Sequence, residues 1–161
     1  MHLPYTICFI RRQDKILVLH RNREPNKGKW NGVGGKIEPG EGPAASCLRE
    51  ICEETGLQVG SVTYRGIVTF NEESGMYVFV ADSRAGEPID SAEGALEWKS
   101  LSALLSAPDV TPTIPHFLPH VVSDMEPLEH AFWFDGEGCI TGYEQRPLQR
   151  EYASTAESLQ V

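Results

Sequence analysis

The sequence predicts an α+β fold with helices layered on one mixed β-sheet, and three observations lead there. Short runs of β-branched and aromatic residues recur along the chain, one unbroken helical segment stands among them, and weaker helical stretches follow late. The length of 161 residues is that of one domain, against a usual ~100–200 residues each. We read residues 1–148 as that domain. The polar, aperiodic stretch 149–161 is expected to be a mobile C-terminal tail.

Residues 5–12 and 16–21, YTICFIRR and ILVLHR, are separated by a polar Gln-Asp-Lys turn and read as an antiparallel pair. From Asn22 to Gly42 the chain is dense in glycine and proline and is expected to be loop. Pro43 suits the first turn of a helix, where its missing N–H costs little, and the helical pattern runs without a breaker to Gly56, a C-terminal stop. Strands are expected again at 62–70 and 76–81, around the acidic turn Asn71–Gly75, then at 95–99 and 130–135, with an extension into Cys139–Tyr143. Short helices are expected near 101–106 and 114–123, the second carrying Pro119 in its middle.

Charge and cysteine usage narrow the function. Fourteen Lys and Arg against 23 Asp and Glu leave a net charge of −9, which repels a polymeric phosphate backbone and argues against DNA or RNA as partner. Excess carboxylate suits hard divalent cations instead. No apolar run reaches the ~18 residues of a membrane span, and no basic leader precedes the short apolar stretch at the N-terminus, so a cytoplasmic protein is expected. Cys8, Cys47, Cys52 and Cys139 form no CxxC pair and are expected to be buried free thiols in a reducing compartment.

The helix over 43–55 carries the chemistry. At roughly 100° per residue, Glu53 and Glu54 flank Glu50 on one face, while Ala44, Leu48, Ile51 and Thr55 form the opposite, apolar stripe. Like charges three and four residues apart repel. Arg49 is the one local cation, which leaves room for divalent ions to neutralise Glu41, Glu50, Glu53 and Glu54 together. A glycine loop leading into a helix N-terminus also favours phosphate oxygens.

The segment Gly35–Leu57, GKIEPGEGPAASCLREICEETGL, resembles the Nudix box: Gly35, five residues, Glu41, seven residues, Arg49-Glu50, apolar Ile51, Cys52, Glu53-Glu54, Thr55, Gly56 and apolar Leu57. A Trp-x-x-Leu stretch at Trp98–Leu101 is similar to the family as well. The resemblance implies an α/β/α sandwich and hydrolysis, with Mg²⁺ or alternatively Mn²⁺, of a nucleoside diphosphate linked to another moiety. It implies Glu50, Glu53 and Glu54 as metal ligands, with the backbone of Gly34 or Gly35, and Glu50 or Glu53 as general base. Arg49 would orient a catalytic glutamate by ion pairing, and Glu41 would support from outside. A further acid is supplied in the family from a loop before the late Trp-x-x-Leu strand. Glu93, five residues before Trp98, is the candidate, and Glu97 is expected at the surface.

The stretch Lys29–Glu41, KWNGVGGKIEPGE, is similar to the loop of the oxidised-purine nucleotide diphosphatases, the MutT type and its animal counterpart. Carried over, Asn31 reads the purine edge. An amide can both donate and accept there, and an Asn-Gly pair is equally at home shaping a turn. Arg21 and Arg23 stand where they could contact phosphates. The animal enzyme's Trp-Pro-Asp-Asp stretch has no acidic counterpart here, where Val110–Ile114 reads VTPTI. A purine triphosphate is therefore the expected substrate, with only modest preference for its oxidised form. The alternatives are another nucleoside diphosphate derivative, such as ADP-ribose or a dinucleoside polyphosphate, and a non-catalytic nucleotide-binding module. No proline stands in residues 58 to 87, which sets the chain apart from ADP-ribose hydrolases. A monomer or homodimer is expected.

Overall fold

A computed structural model describes residues 1–153. In chain order the elements are β1 (His2–Arg12), β2 (Lys15–Arg21), β3 (Trp30–Asn31), β4 (Val33–Lys36), α1 (Pro43–Thr55), β5 (Thr63–Phe70), β6 (Ser74–Asp82), β7 (Gly94–Ser100), α2 (Leu101–Ser106), α3 (Ile114–Val121), β8 (Leu128–Phe134) and β9 (Ile140–Pro147). They form one mixed sheet of order β3-β2-β1-β6-β5-β8-β9, with β4 added to β1 and β7 to β2. The β1–β6 and β5–β8 pairs are parallel and the others antiparallel.

Strand alternation on β1 splits the core into two layers. Cys8 and Ile10 meet Ala44, Cys47 and Ile51 of α1 on one face of the sheet, together with Leu17 and Phe79. Ile7 and Phe9 meet Leu104 of α2 and Phe117, Leu118 and Val121 of α3 on the other, together with Val18 and Phe132. The chain is thus an α/β/α sandwich of α+β class. Both faces of β1 are covered, which is why its central residues read as an unbroken apolar run.

The region expected to be loop, residues 22–42, differs: it contains β3 and β4. The reason is that β1 is long enough to serve two neighbours along one edge. Its Ile10–Arg12 end pairs with β2, and its Tyr5–Cys8 half pairs with β4. The glycines of β4 are there for approach rather than for turning, since a Cβ on Gly34 would lie 2.1 Å from the Thr6 carbonyl oxygen. Helix α1 ends at Gly56, whose φ of 73° is the left-handed conformation a helix stop demands.

Two further expectations are corrected. Cys8 and Cys47 are buried, but Cys52 and Cys139 are exposed, all four as free thiols. The helix expected over 114–123 stops at Val121. Of the segment expected as a tail, 149–161, Tyr152 is buried in the α1-side core, and residues 154–161 lie outside the described residues. Among the described residues no helix is long and apolar enough to cross a membrane.

Polar groups tie α3 to the sheet. The buried Arg65 guanidinium donates to the carbonyl oxygens of Val121 at 2.9 Å and His120 at 3.4 Å, and to that of Met125. His130, fully buried on β8, shares a 2.8 Å hydrogen bond through Nδ1 with the Tyr143 hydroxyl, and its Nε2 has no hydrogen-bond partner among the described residues. Burial first, then the charges of His120 and Arg65, push its pKa down from 6.5 to about 4. Between those values the unfolded chain binds a proton that the folded one refuses, so this group's contribution to stability falls as pH drops below 6.5. His130→Gln is expected to gain on the wild type by about 2 kcal/mol between pH 7.5 and pH 4.5 in urea titrations. A pH-independent difference would mean that His130 does not titrate as described.

Candidate active site

Helix α1 lays Ala44, Ser46, Cys47, Ile51 and Thr55 against the sheet and turns Arg49 toward the Lys36–Gly42 segment. The Arg49 guanidinium clamps Glu41 with two bonds, Nε to Oε2 at 2.8 Å and Nη2 to Oε1 at 2.9 Å. Its Nη1 reaches Glu50 at 3.1 Å and Glu53 at 3.2 Å, with Glu38 at 3.7 Å, and Nη2 also donates to the Lys36 carbonyl oxygen. One arginine thereby faces four carboxylates. The planar fork of guanidinium makes that possible, where an ammonium would act as a single point charge. Its hydrogen bonds hold the Glu41 carboxyl at about 2, against a usual 4.5.

The expected stripe of three exposed acids is not what forms. Glu53 is exposed, Glu50 is largely covered, and Glu54 is buried at 6% exposure. The helix is covered over a wider arc than its apolar residues indicate, because β4 crosses beside it. A Cβ on Gly35 would stand 2.6 Å from Glu50 Oε1, so the Glu50 carboxylate rests against the glycine backbone. Burial, a hydrogen bond with Glu50 and the negative charges of Glu50 and Glu93 raise Glu54 from 4.5 to about 9, against a smaller opposing effect of the Gly34 backbone N–H.

These groups are hard oxygen donors gathered where like charge is uncompensated, which fits a divalent cation of the Mg²⁺ or Mn²⁺ kind. Glu50 and Glu93 both bear on Glu54, and Glu53 stands at the exposed margin. Among the described residues no three His, Cys, Asp or Glu side chains form a ready cage. The acids are held by Arg49, by Arg23 and by each other.

A cavity of about 570 Å³ opens on the sheet face opposite α1, beside β4. Ile7, Phe70, Met76 and Phe134 give it an apolar wall, Asn31, Thr111 and Thr113 supply neutral polar groups, and Arg21 and Lys29 stand at its side. Gly34 and Gly35 of β4 line it as well, with Gly32 just ahead of that strand and Gly138 from the turn between β8 and β9, and none of these glycines is at the helix N-terminus. Asn31 accepts a 2.9 Å bond from the Gly32 N–H, which leaves its amide nitrogen for a ligand.

The NUDIX domain model matches residues 1–121. This chain belongs to the Nudix family. It is 31% identical over 151 residues to an uncharacterized Nudix hydrolase, YvcI, of Bacillus subtilis, covering 88% of this chain and 93% of that one. It is 29% identical over 149 residues to the oxidized purine nucleoside triphosphate hydrolase of Mus musculus, covering 89% and 94%. The crystal structure of the MutT protein from Bacillus halodurans superposes with a TM-score of 0.70 at 29% identity, over 90% of this chain and 98% of that one. The protein is accordingly a Nudix hydrolase, of a family of pyrophosphohydrolases that act on phosphoanhydride bonds and generally use divalent cations.

Of the residues singled out in the sequence, Arg49, Glu50, Glu53, Glu54, Glu93 and the Gly34 backbone come together at α1 and β4. Asn31 and Arg21 meet at the cavity. Arg23 does not face the cavity; it pairs with Glu93 at 3.6 Å. Glu97 is exposed, beside Lys99. The cavity wall of Phe70, Met76 and Phe134 escaped the sequence reading, because only the pairing of β5, β6 and β8 brings these residues to one face. The Glu50–Gly35 contact generates a prediction. Gly35→Ala should displace the Glu50 carboxylate and lower kcat about 10- to 100-fold. A variant with wild-type kcat would show that the close approach does not set the position of Glu50.

Proposed function

We propose that this Nudix hydrolase cleaves purine nucleoside triphosphates with Mg²⁺, removing oxidised and ordinary forms from the nucleotide pool. One observation carries the reading: Gly34 and Gly35 line the cavity and also back onto Glu54 and Glu50. A nucleoside seated against Phe70, Met76 and Phe134 can therefore lead its phosphates along β4 to the acids. The 29% identity with the mouse oxidized purine nucleoside triphosphate hydrolase supports the purine assignment.

In this reading Glu50, Glu53, Glu54, Glu93 and the Gly34 backbone hold the cation, which when bound supplies charge neutralisation and activates water. Arg49 orients Glu50 and Glu53, and Glu53, the most exposed, takes the proton from water as it attacks phosphorus in line. Arg21 faces the phosphates. Asn31 reads the base through its amide nitrogen. No carboxylate among the described residues lines the cavity, so the base is recognised by neutral groups and the preference for oxidised guanine stays below about 100-fold, under ~3 kcal/mol.

Glu53→Gln should abolish turnover and leave the melting temperature within a few degrees, since Glu53 is exposed and its loss relieves like-charge crowding. Wild-type kcat in saturating Mg²⁺ would remove Glu53 from the mechanism. Phosphate release over dGTP, 8-oxo-dGTP, 2-oxo-dATP, dCTP, ADP-ribose and a dinucleoside polyphosphate tests the substrate, and turnover confined to the last two would overturn the proposal. Asn31→Ala should cost purine substrates about 1–3 kcal/mol, roughly five- to 150-fold in kcat/KM, and spare dCTP. Equal losses on purine and pyrimidine would assign Asn31 to shaping the loop.

A further inference from the structure

Arg23 belongs to the Asn22–Lys29 loop, three of whose residues, Pro25, Asn26 and Lys29, line the cavity. The loop closes on itself through the Arg21 guanidinium, whose Nε donates to the Pro25 carbonyl oxygen at 2.8 Å, and through the Gly28 N–H, which donates to the Arg21 carbonyl oxygen at 2.8 Å. Glu93 comes from a different part of the chain, just before β7. Its backbone is pinned to the same loop, because the Asn22 N–H donates to the Glu93 carbonyl oxygen at 3.1 Å. The next residue is a glycine for a steric reason: a Cβ on Gly94 would stand 1.9 Å from the His20 carbonyl oxygen. The start of the cavity loop and Glu93 are therefore one mechanical unit. Their side chains meet as well, Arg23 Nη1 lying 3.6 Å from Glu93 Oε1, with Arg23 61% and Glu93 35% exposed. Glu93 in turn bears on Glu54, which is bonded to Glu50.

We propose that Arg23 is a positioning residue that holds the Glu93 carboxylate in the ion-free protein and yields it to the divalent cation, so that cation binding frees Arg23 to turn toward the phosphates beside Arg21 and Lys29. The proposal rests on Glu93 serving the cation, as put forward above. Cation and guanidinium compete for one carboxylate. Binding of the cation is thereby coupled to the loop that borders the nucleotide cavity, and a nucleotide whose phosphates attract Arg23 draws Glu93 into the cation's reach in return, since coupling between two ligands is reciprocal. The pair is exposed and long, so the competition is modest.

The test is a Mn²⁺ titration followed by electron paramagnetic resonance, without nucleotide, on the wild type, Arg23→Gln, Arg23→Lys, Glu93→Gln and the double variant Arg23→Gln/Glu93→Gln. Arg23→Gln is expected to bind Mn²⁺ about two- to five-fold more tightly than the wild type, and Arg23→Lys to stay near the wild-type value. In the Glu93→Gln background the Arg23→Gln change should have no further effect, because the carboxylate competed for is gone. Unchanged or weaker binding by Arg23→Gln overturns the proposal. So does equal tightening in both backgrounds, which would reduce Arg23 to a distant charge, and so does tightening by Arg23→Lys to the level of Arg23→Gln. A wild type that binds no Mn²⁺ overturns the cation assignment together with this one, whereas a wild type that binds it with Arg23 inert overturns this one alone.

Discussion

The close approach of β4 to its neighbours is the constraint on which the rest of the site depends. Gly34 sits where any side chain would strike the backbone of β1, and Gly35 where one would strike the Glu50 carboxylate. With those two positions open, β4 hydrogen-bonds to β1 from Tyr5 to Cys8 while α1 packs beside it. The strand becomes a thin wall. The acids lie behind it and the cavity before it, so a molecule in contact with one is within reach of the other. A larger residue at either position would thicken the wall or displace what leans on it, and separate the place of recognition from the place of chemistry.

That wall is also why the acids are crowded. Burying Glu54 beside Glu50 costs free energy, because a desolvated carboxylate next to another cannot readily ionise. The fold offsets part of this with a single cation of suitable shape. Arg49 spreads its five donors over Glu41, Glu50 and Glu53 and the Lys36 carbonyl oxygen, and thereby fixes the segment between β4 and α1 as well as the catalytic face of the helix. Its bond to Glu41 is the well-matched one, two-pronged and short. Its contacts with Glu50 and Glu53 are longer, which leaves those acids able to exchange partners. Glu54 pairs with no arginine among the described residues. The carboxyl without a counter-charge is the deepest of the cluster, and a divalent cation there would supply the charge that lets it ionise.

Much of this was legible in the sequence, for identifiable reasons. The bounds of α1 follow from Pro43 and Gly56, local signals that tertiary structure had no cause to override. The strands that bury both faces announce themselves by apolar runs. β3 and β4 were hidden because glycine density signals a turn when read locally, whereas here it signals a backbone squeezed between two neighbours, and no local pattern distinguishes the two. Glu54 was misplaced by a helical wheel that assumed solvent wherever no apolar residue pointed, while β4 supplied the cover. Arg23 illustrates the same limit: a cation near a phosphate-binding loop suggests phosphate, but its partner, 70 residues away in sequence (93 − 23), is found only through the pairing of β2 with β7.

Chemistry and selectivity reside in different materials. Arg49, Glu50, Glu53 and Glu54 are held on a 13-residue helix, and Arg49 ties Glu50 and Glu53 to Glu41 from the segment ahead of it, so a change to one is felt by several. The cavity wall is assembled from single residues of β1, β5, β6 and β8 and from the Thr111–Thr113 turn ahead of α3. These side chains share no hydrogen-bond network with the acids. Thr111 is bound instead to the Trp30 carbonyl oxygen at 2.9 Å, which fastens the turn to the β3 end of the cavity loop. In the proposed reading, substitutions at Thr113, Phe134 or Met76 would alter which base is admitted without disturbing the helix, while Gly34 and Gly35 would keep the path from base to phosphate. The division follows from the sandwich itself, with the cavity on one face of the sheet, the acids on the other, and the glycine strand in contact with both.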